Sequence, residues 1–171
     1  MLKKSLTVAV LGLALVAGSA QAAFASSADA STTSTTKSHH EEWKAQTAAL
    51  KSQLVTLRAQ QKGLAAQIKS LRETNKATAK SLTKEQKASL KASLKNVREQ
   101  IAAQQASIKA IRTQKQALWA QVKSAKKSDD TASGVAELTQ IISLKEQIIQ
   151  AKQQILSLQQ SLQTLLTSLS A

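Results

Sequence analysis

The width of the apolar stripe near the C-terminus constrains this fold more than any other feature. Over Val135 to Leu169, one heptad column contains only Ile and Leu, and apolar residues flank it on both sides. The central column is Ile141, Ile148, Ile155, Leu162 and Leu169, with flanks of Ile142, Ile149 and Leu156 and of Leu144, Leu158 and Leu165. On a helix with ~100° per residue this stripe is about 160° wide, whereas a two-stranded coiled coil has a narrower seam. Such a helix needs two partner helices to cover it.

The rest of the composition is typical of long helices in one domain. The 171 residues include no Pro and no Cys, aromatic residues make up 2%, and Ala, Lys, Gln, Ser and Leu dominate. Without Cys the chain has neither a disulfide framework nor a lipid-modified cysteine. Stability must therefore come from helix packing.

Residues 1–25 are typical of a secretory signal peptide. Lys3 and Lys4 precede an apolar run and then small residues, which offer cleavage after Ala22 or Ala25. The interpretation predicts an extracytoplasmic protein of the periplasm or cell envelope, or a secreted one; an uncleaved anchor is the alternative. Without Lys3 and Lys4, 22 basic residues remain against 10 acidic residues, a net charge of +12.

The expected organisation is a disordered Ser/Thr-rich spacer over residues 26–40 and a helical domain over 41–170. Its helices are predicted at about 41–80, 84–127 and 133–170. The first has Leu at four successive d positions: Leu50, Leu57, Leu64 and Leu71. Gln61 and Asn75 interrupt its a column, where they either fix the register or are merely tolerated.

Two chain reversals are expected. The heptad phase breaks between Thr78 and Thr83, and Thr83-Lys84-Glu85-Gln86 has capping-box spacing; a continuous helix with a phase slip is the rival interpretation. The segment Ser128–Gly134 is predicted to be a loop, with Asp130 or Ser133 capping the third helix. The predicted fold is therefore all-α, an antiparallel three-helix bundle or long coiled coil.

Charge on the first two helices suggests how they pack. Residues 44–127 carry 19 Lys and Arg against three Glu, a net charge of +16, and the g columns of both helices are rich in Gln. We expect the Gln columns to face each other and the cationic e columns to lie over the apolar flanks of the third helix. The predicted binding surface is Lys44, Lys51, Arg58, Arg72, Lys91, Arg98 and Arg112, with Ile149, Leu156 and Leu158 beneath them.

The segment Leu82-Thr83-Lys84-Glu85-Gln86 resembles the LTxxQ motif of the Spy/CpxP family of periplasmic stress proteins. That family shares a signal peptide, an all-helical mature chain and often a basic surface. The resemblance implies an ATP-independent chaperone or envelope-stress modulator that acts as a helical, often dimeric, cradle. This chain departs from the family pattern in having one such motif instead of two, almost no Met and regular heptads.

Two functions are expected from these features, and neither is enzymatic. The first is a chaperone-like or envelope-stress adaptor that binds unfolded or acidic proteins through cations and apolar surface. The second is a structural coiled coil of the envelope that associates with anionic polymers or a membrane surface. Nucleic acid is not an expected partner, because no aromatic residues are interleaved for base stacking. A homodimer is possible on a seam with polar interruptions.

No cofactor is predicted, and metal binding has only weak candidates. His39, His40, Glu41 and Glu42 have the right ligand chemistry, but adjacent His side chains diverge on a helix and the sequence offers no third cluster. The shortage of acidic residues on the first two helices leaves no carboxylate pair for acid–base catalysis.

Overall fold

A computed structural model describes residues 35–170, with side chains from 39 to 169. This part folds as three α-helices without a strand: α1 (Thr35–Ser81), α2 (Lys84–Lys127) and α3 (Thr131–Ser170). The predicted all-α three-helix bundle is confirmed. The predicted signal peptide and residues 26–34 of the predicted spacer lie outside the described residues.

Helix α1 begins earlier than the sequence predicts. Residues 35–40, which we assigned to a disordered spacer, belong to α1. The composition of this stretch is a poor guide because, once a helix is nucleated, each added residue gains one hydrogen bond for a small ordering cost.

The first reversal is a two-residue turn, so the continuous-helix alternative is wrong. Thr83 has an extended backbone (φ −67°, ψ 170°), and its hydroxyl accepts a hydrogen bond from the Gln86 backbone N–H at 3.2 Å. The Thr83 N–H in turn donates to Gln86 Oε1 at 2.8 Å, which completes the predicted capping box. Leu82 is buried beneath this turn at 4% exposure.

The second reversal is shorter than predicted. Asp129 has a positive φ of 55°, and the Asp130 N–H donates to the Ala125 carbonyl at 2.9 Å, as in a Schellman helix ending. Asp130 then caps α3 by accepting from the Ser133 N–H at 3.0 Å. Its hydrogen bonds from the side chain and backbone of Ser133 hold the pKa of this carboxyl below its ordinary value.

Gly134 is part of α3 and not of a loop, contrary to the prediction. It is buried, and a Cβ atom built there would lie 2.1 Å from Trp43 Cη2. Glycine is therefore required by the close approach of the indole ring to the α3 backbone.

Helix α3 is the centre of the bundle. The side chains of Gln61 and Asn75 on α1 both donate to residues 84 positions later on α3, so α1 and α3 run parallel. Gln86 at the start of α2 donates to the Leu169 carbonyl at the end of α3, so α2 runs antiparallel to both. Both outer helices pack closely along α3, whereas α1 and α2 have few close backbone contacts with each other.

The core is divided into three clusters along the bundle. The end remote from the first turn contains Trp43, Val122 and Leu138, and Trp119 packs against them. Both Trp side chains therefore lie at the same end of the bundle, as a reversal between α1 and α2 requires. Ile108, Ile111, Ile148 and Ile155 form the middle cluster, and Leu82, Leu90 and Leu166 form the cluster near the turn.

Candidate binding groove

An open groove lies between α1 and α2, with α3 as its floor. Its volume is about 770 Å³, and it lies at the end of the bundle that contains the first turn. Its cationic lining is Arg72, Lys76, Lys80, Lys87 and Arg98, and its large apolar lining is Ile68, Leu94, Ile101, Ile155, Leu162 and Leu166. Among the described residues that line it, none is acidic. We call this feature the groove.

The groove contradicts the predicted pairing of heptad columns, because the cationic e columns of α1 and α2 face each other and the Gln-rich g columns do not. Arg72 and Arg98, which belong to the e columns of α1 and α2, line the same opening, so the Gln columns do not bring the two helices together. Instead, the g-column amides of Gln46 and Gln100 donate to Glu42 and Asn96 of their own helices. The cationic columns can face each other because α1 and α2 are held apart on α3, and solvent between them screens the repulsion.

The seven predicted cations are all exposed, but they lie in different parts of the bundle. Arg72 and Arg98 line the groove, while Arg58 and Arg112 lie further from the turn, near three lysines described below. Lys44 lies 4.0 Å from Glu41 in an exposed ion pair. Lys51 and Lys91 are exposed and do not line the groove.

The three predicted apolar residues lie outside the groove. Ile149 is buried in the core cluster that contains Trp43, and Leu156 and Leu158 are half-buried. None of the three lines the groove. The predicted pairing of these three side chains with the seven cations as one binding surface stays a prediction.

A polar column on α3 replaces part of the expected apolar floor. Lys145, Lys152 and Gln159 follow one another at seven-residue spacing, and Lys145 and Gln159 are only 8% and 6% exposed. The predicted site residues include neither Lys145 nor Lys152. Their common heptad position was the signal that could have revealed a polar column facing α1.

The polar a positions of α1 bond directly to this column. Asn75 Nδ2 donates to the carbonyl and to Oε1 of Gln159 at 2.8 and 2.9 Å. Gln61 Nε2 donates to the Lys145 carbonyl at 3.0 Å, and Lys152 Nζ donates to the Gln61 carbonyl at 2.6 Å. Of the two interpretations left open, these bonds favour register fixing, since a sliding α1 would break them all.

Five cations converge in the middle of the bundle. We call the group of Arg58, Arg112, Lys115, Lys145 and Lys152 the lysine cluster. Partial burial, followed by repulsion from Arg112 and Arg58, lowers the pKa of Lys115. The pKa of Lys145 is lowered mainly by partial burial and further by repulsion from Lys115 and Arg58. The pKa of Lys152 is lowered mainly by partial burial and further by repulsion from Arg112. In the sequence, Lys115 interrupts the apolar seam of α2, but the heptad pattern of α2 does not identify its partners on α3.

The Leu82–Gln86 motif has a structural role at the turn. Leu82 packs with Leu90 and Leu166, Thr83 caps α2, and the Gln86 side chain bonds both the Thr83 N–H and the Leu169 carbonyl. The motif therefore joins the first turn to the end of α3.

The four metal-ligand candidates give no site in the structure. His40 Nδ1 lies 3.9 Å from Glu41 on the exposed first part of α1. Over the described residues, we find no group of three or more His, Cys, Asp or Glu side chains suited to a metal ion. No helix within the same part is long and apolar enough to cross a bilayer.

Comparison with known proteins provides no assignment. No family model matches the chain, and no curated protein or solved structure matches it. Function must therefore be inferred from the geometry and charge of the bundle.

Proposed function

We propose that this protein is a non-enzymatic, exported, chaperone-like binding protein that holds unfolded or acidic chains in the groove. One observation carries the proposal: five cations and six large apolar side chains line a single open groove in which no acidic residue is described. A ligand that fits such a surface has carboxylates and apolar groups close together, as acidic segments of unfolded proteins do.

The two kinds of lining have different roles in binding. Cations attract an acidic chain over several ångströms and raise the rate of encounter, an effect that salt weakens. Apolar side chains such as Leu94 and Ile101 are only half-buried, and covering them removes apolar area from water. Binding should therefore be fast at low salt and should persist in part at high salt.

The sequence adds two supports of a different kind. The resemblance of Leu82–Gln86 to the LTxxQ motif favours an envelope-stress role, and the predicted signal peptide favours an extracytoplasmic location. Neither identifies the client.

The direct test is suppression of client aggregation by the purified protein at equimolar ratio. We expect Arg72→Gln, Lys87→Gln and Arg98→Gln together to slow client binding and to weaken suppression by roughly tenfold or more, about 1.4 kcal/mol of binding free energy. The triple variant should remain folded, because all three side chains are exposed.

The matched control removes the same charge elsewhere. Lys62, Lys109 and Lys123 are exposed and do not line the groove. Their replacement by Gln should leave suppression nearly unchanged. If the wild-type protein neither binds a client nor suppresses its aggregation at low and moderate salt, the chaperone proposal is wrong.

A structural coiled coil that associates with anionic envelope polymers is the second candidate. The exposure of Lys62, Lys109 and Lys123 outside the groove favours it, because a polymer can follow an extended basic face. For this function, both triple variants should lose attachment equally, and attachment should fall steeply as salt increases.

A further inference from the structure

The lysine cluster is distinct from the groove and has an unusual position. Lys145 projects from α3 with only 8% exposure, and its backbone carbonyl accepts from Gln61 of α1. Two turns further along α3, the ammonium group of Lys152 donates to the Gln61 carbonyl. Lys115 lies on α2 between Ile111, in the core cluster of Ile148, and Leu118, which packs against the cluster of Ile141. This register places Lys115 beside Lys145, so cations of all three helices lie at one level of the bundle.

Over the described residues, no ion pair with a carboxylate neutralises this concentration of charge. The ion pairs in the part of the chain that the structure describes involve Glu41, Glu73 and Glu99, and none of them includes a member of the lysine cluster. Burying like charges side by side is unfavourable unless a counter-ion accompanies them. A bundle stabilised only by packing would be served better by Leu or Ile at Lys115 and Lys145.

We propose that the lysine cluster is a binding site for a polyvalent phosphate anion, such as a short inorganic polyphosphate, that enters between α1 and α2. Arg58 and Arg112 lie at the exposed edge and can bind phosphate oxygens with two parallel hydrogen bonds. Lys145 and Lys115 lie deeper and supply point charges. The bound anion links α1, α2 and α3 at mid-bundle.

The charge and depth of the site select this ligand. A single carboxylate offers one charge to five cations, whereas linked phosphates offer several charges and many acceptor oxygens. Lipid headgroups carry phosphate too, but Lys145 is too deeply buried for a flat bilayer surface to reach it. The free anion is therefore the expected source. This proposal does not depend on client binding in the groove.

The test measures tripolyphosphate binding to the purified protein by titration calorimetry and thermal unfolding. We expect saturable binding at one anion per chain and a rise in melting temperature, because a ligand that binds only the folded state stabilises it. Sodium chloride at the same ionic strength should produce neither effect. Replacing Lys115 and Lys145 together by Leu should weaken binding at least tenfold.

Two controls keep the test decisive. Lys62→Gln with Lys109→Gln removes the same charge from exposed positions and should change affinity less than threefold. Arg58→Gln with Arg112→Gln alters only exposed members of the site, so it should weaken binding even if the Leu variant fails to fold. Equal weakening by the control pair, or equal stabilisation by chloride, would show general screening and overturn the proposal.

The lipid source is tested with vesicles of anionic phosphatidylglycerol. We expect any vesicle binding to be insensitive to Lys145→Leu. The contradicting result has two parts: Lys145 is required for vesicle binding, and tripolyphosphate does not bind. In that case the ligand is a lipid headgroup, and the proposal of a free anion is wrong.

Discussion

The two interfaces of α3 differ in chemistry although they belong to one helix. Between α2 and α3, Ile108 and Ile111 pack on Ile148 and Ile155 in a nearly apolar seam. Between α1 and α3, side chains of Gln61 and Asn75 bond across the seam to Lys145 and Gln159. Apolar packing in the first seam is strong but indifferent to small shifts, whereas the amide bonds of the second are satisfied at only one register.

This difference explains why α1 runs beside α3 with a fixed offset and why the cations are gathered where they are. The polar column of α3 cannot be covered by apolar residues without leaving its groups unpaired. It therefore faces the polar a positions of α1 and the opening between α1 and α2. The seam between α2 and α3 contributes apolar packing. The seam between α1 and α3 fixes the register of the helices and carries the charged surface.

The largest effect should follow a cavity in the apolar seam. Ile148 is 1% exposed, and its replacement by Ala should lower the free energy of unfolding by ~2–5 kcal/mol. Val55→Ala is the matched control, because Val55 is 68% exposed and should change stability by less than about 0.5 kcal/mol. Urea denaturation of both variants measures the contrast; equal losses would show that Ile148 is not in a packed seam.

The next effect tests the close approach of α1 to α3. Gly134→Ala places a methyl group against the Trp43 ring and should cost about 1–3 kcal/mol through overpacking. In a Trp43→Leu background the same substitution should cost much less, since the ring is absent. A double-mutant cycle on unfolding free energies detects this coupling, and strict additivity would rule out the contact.

A comparable effect tests whether the amides between α1 and α3 fix the register. Asn75→Ala leaves both acceptors of Gln159 without their donor and should cost about 1–3 kcal/mol. Replacing Asn75 and Gln159 together by Leu should restore stability or increase it. The double variant should nevertheless broaden the spin-label distance distribution between α1 and α3, because the register is no longer fixed. A sharp distribution at the original distance would mean that the amides do not set the register.

The smallest effect is a pH dependence confined to the lysine cluster. Lys145 faces Arg58 from α1 and Lys115 from α2, and the lysines of the cluster have folded-state pKa values below the ordinary 10.5. Between the lowered pKa and 10.5 the unfolded chain binds more protons, so stability rises with pH in that window.

Urea denaturation between neutral pH and about pH 10 measures this rise against the Lys reference pKa. The variant with Leu at both 115 and 145 should show a flatter profile than the wild type. The pair Lys62→Gln and Lys109→Gln serves as the control and should keep the wild-type slope. An identical slope in the Leu variant would exclude the cluster as its source.

The sequence predicts local features of this fold better than their arrangement. The capping box at Thr83, the cap at Asp130 and the Trp43–Trp119 end all follow from short-range spacing or from the register of one hairpin. The packing of the two e columns toward each other does not follow from the sequence in this way. It depends on how far apart α1 and α2 lie on α3. The sequence likewise places Gly134 in a loop, because it does not show that the Trp43 ring packs against this position. The lysine cluster combines residues from three helices, so no single heptad column reveals it.

The distance between spin labels across the groove tests the central claim most directly. The chain has no native Cys, so paired Cys substitutions can be labelled cleanly. Labels at Arg72 and Arg98 should be closer together than labels at Gln67 and Gln100 of the g columns, since the cationic columns face each other across the groove. A shorter Gln67–Gln100 distance would contradict this arrangement and restore the amide-faced packing.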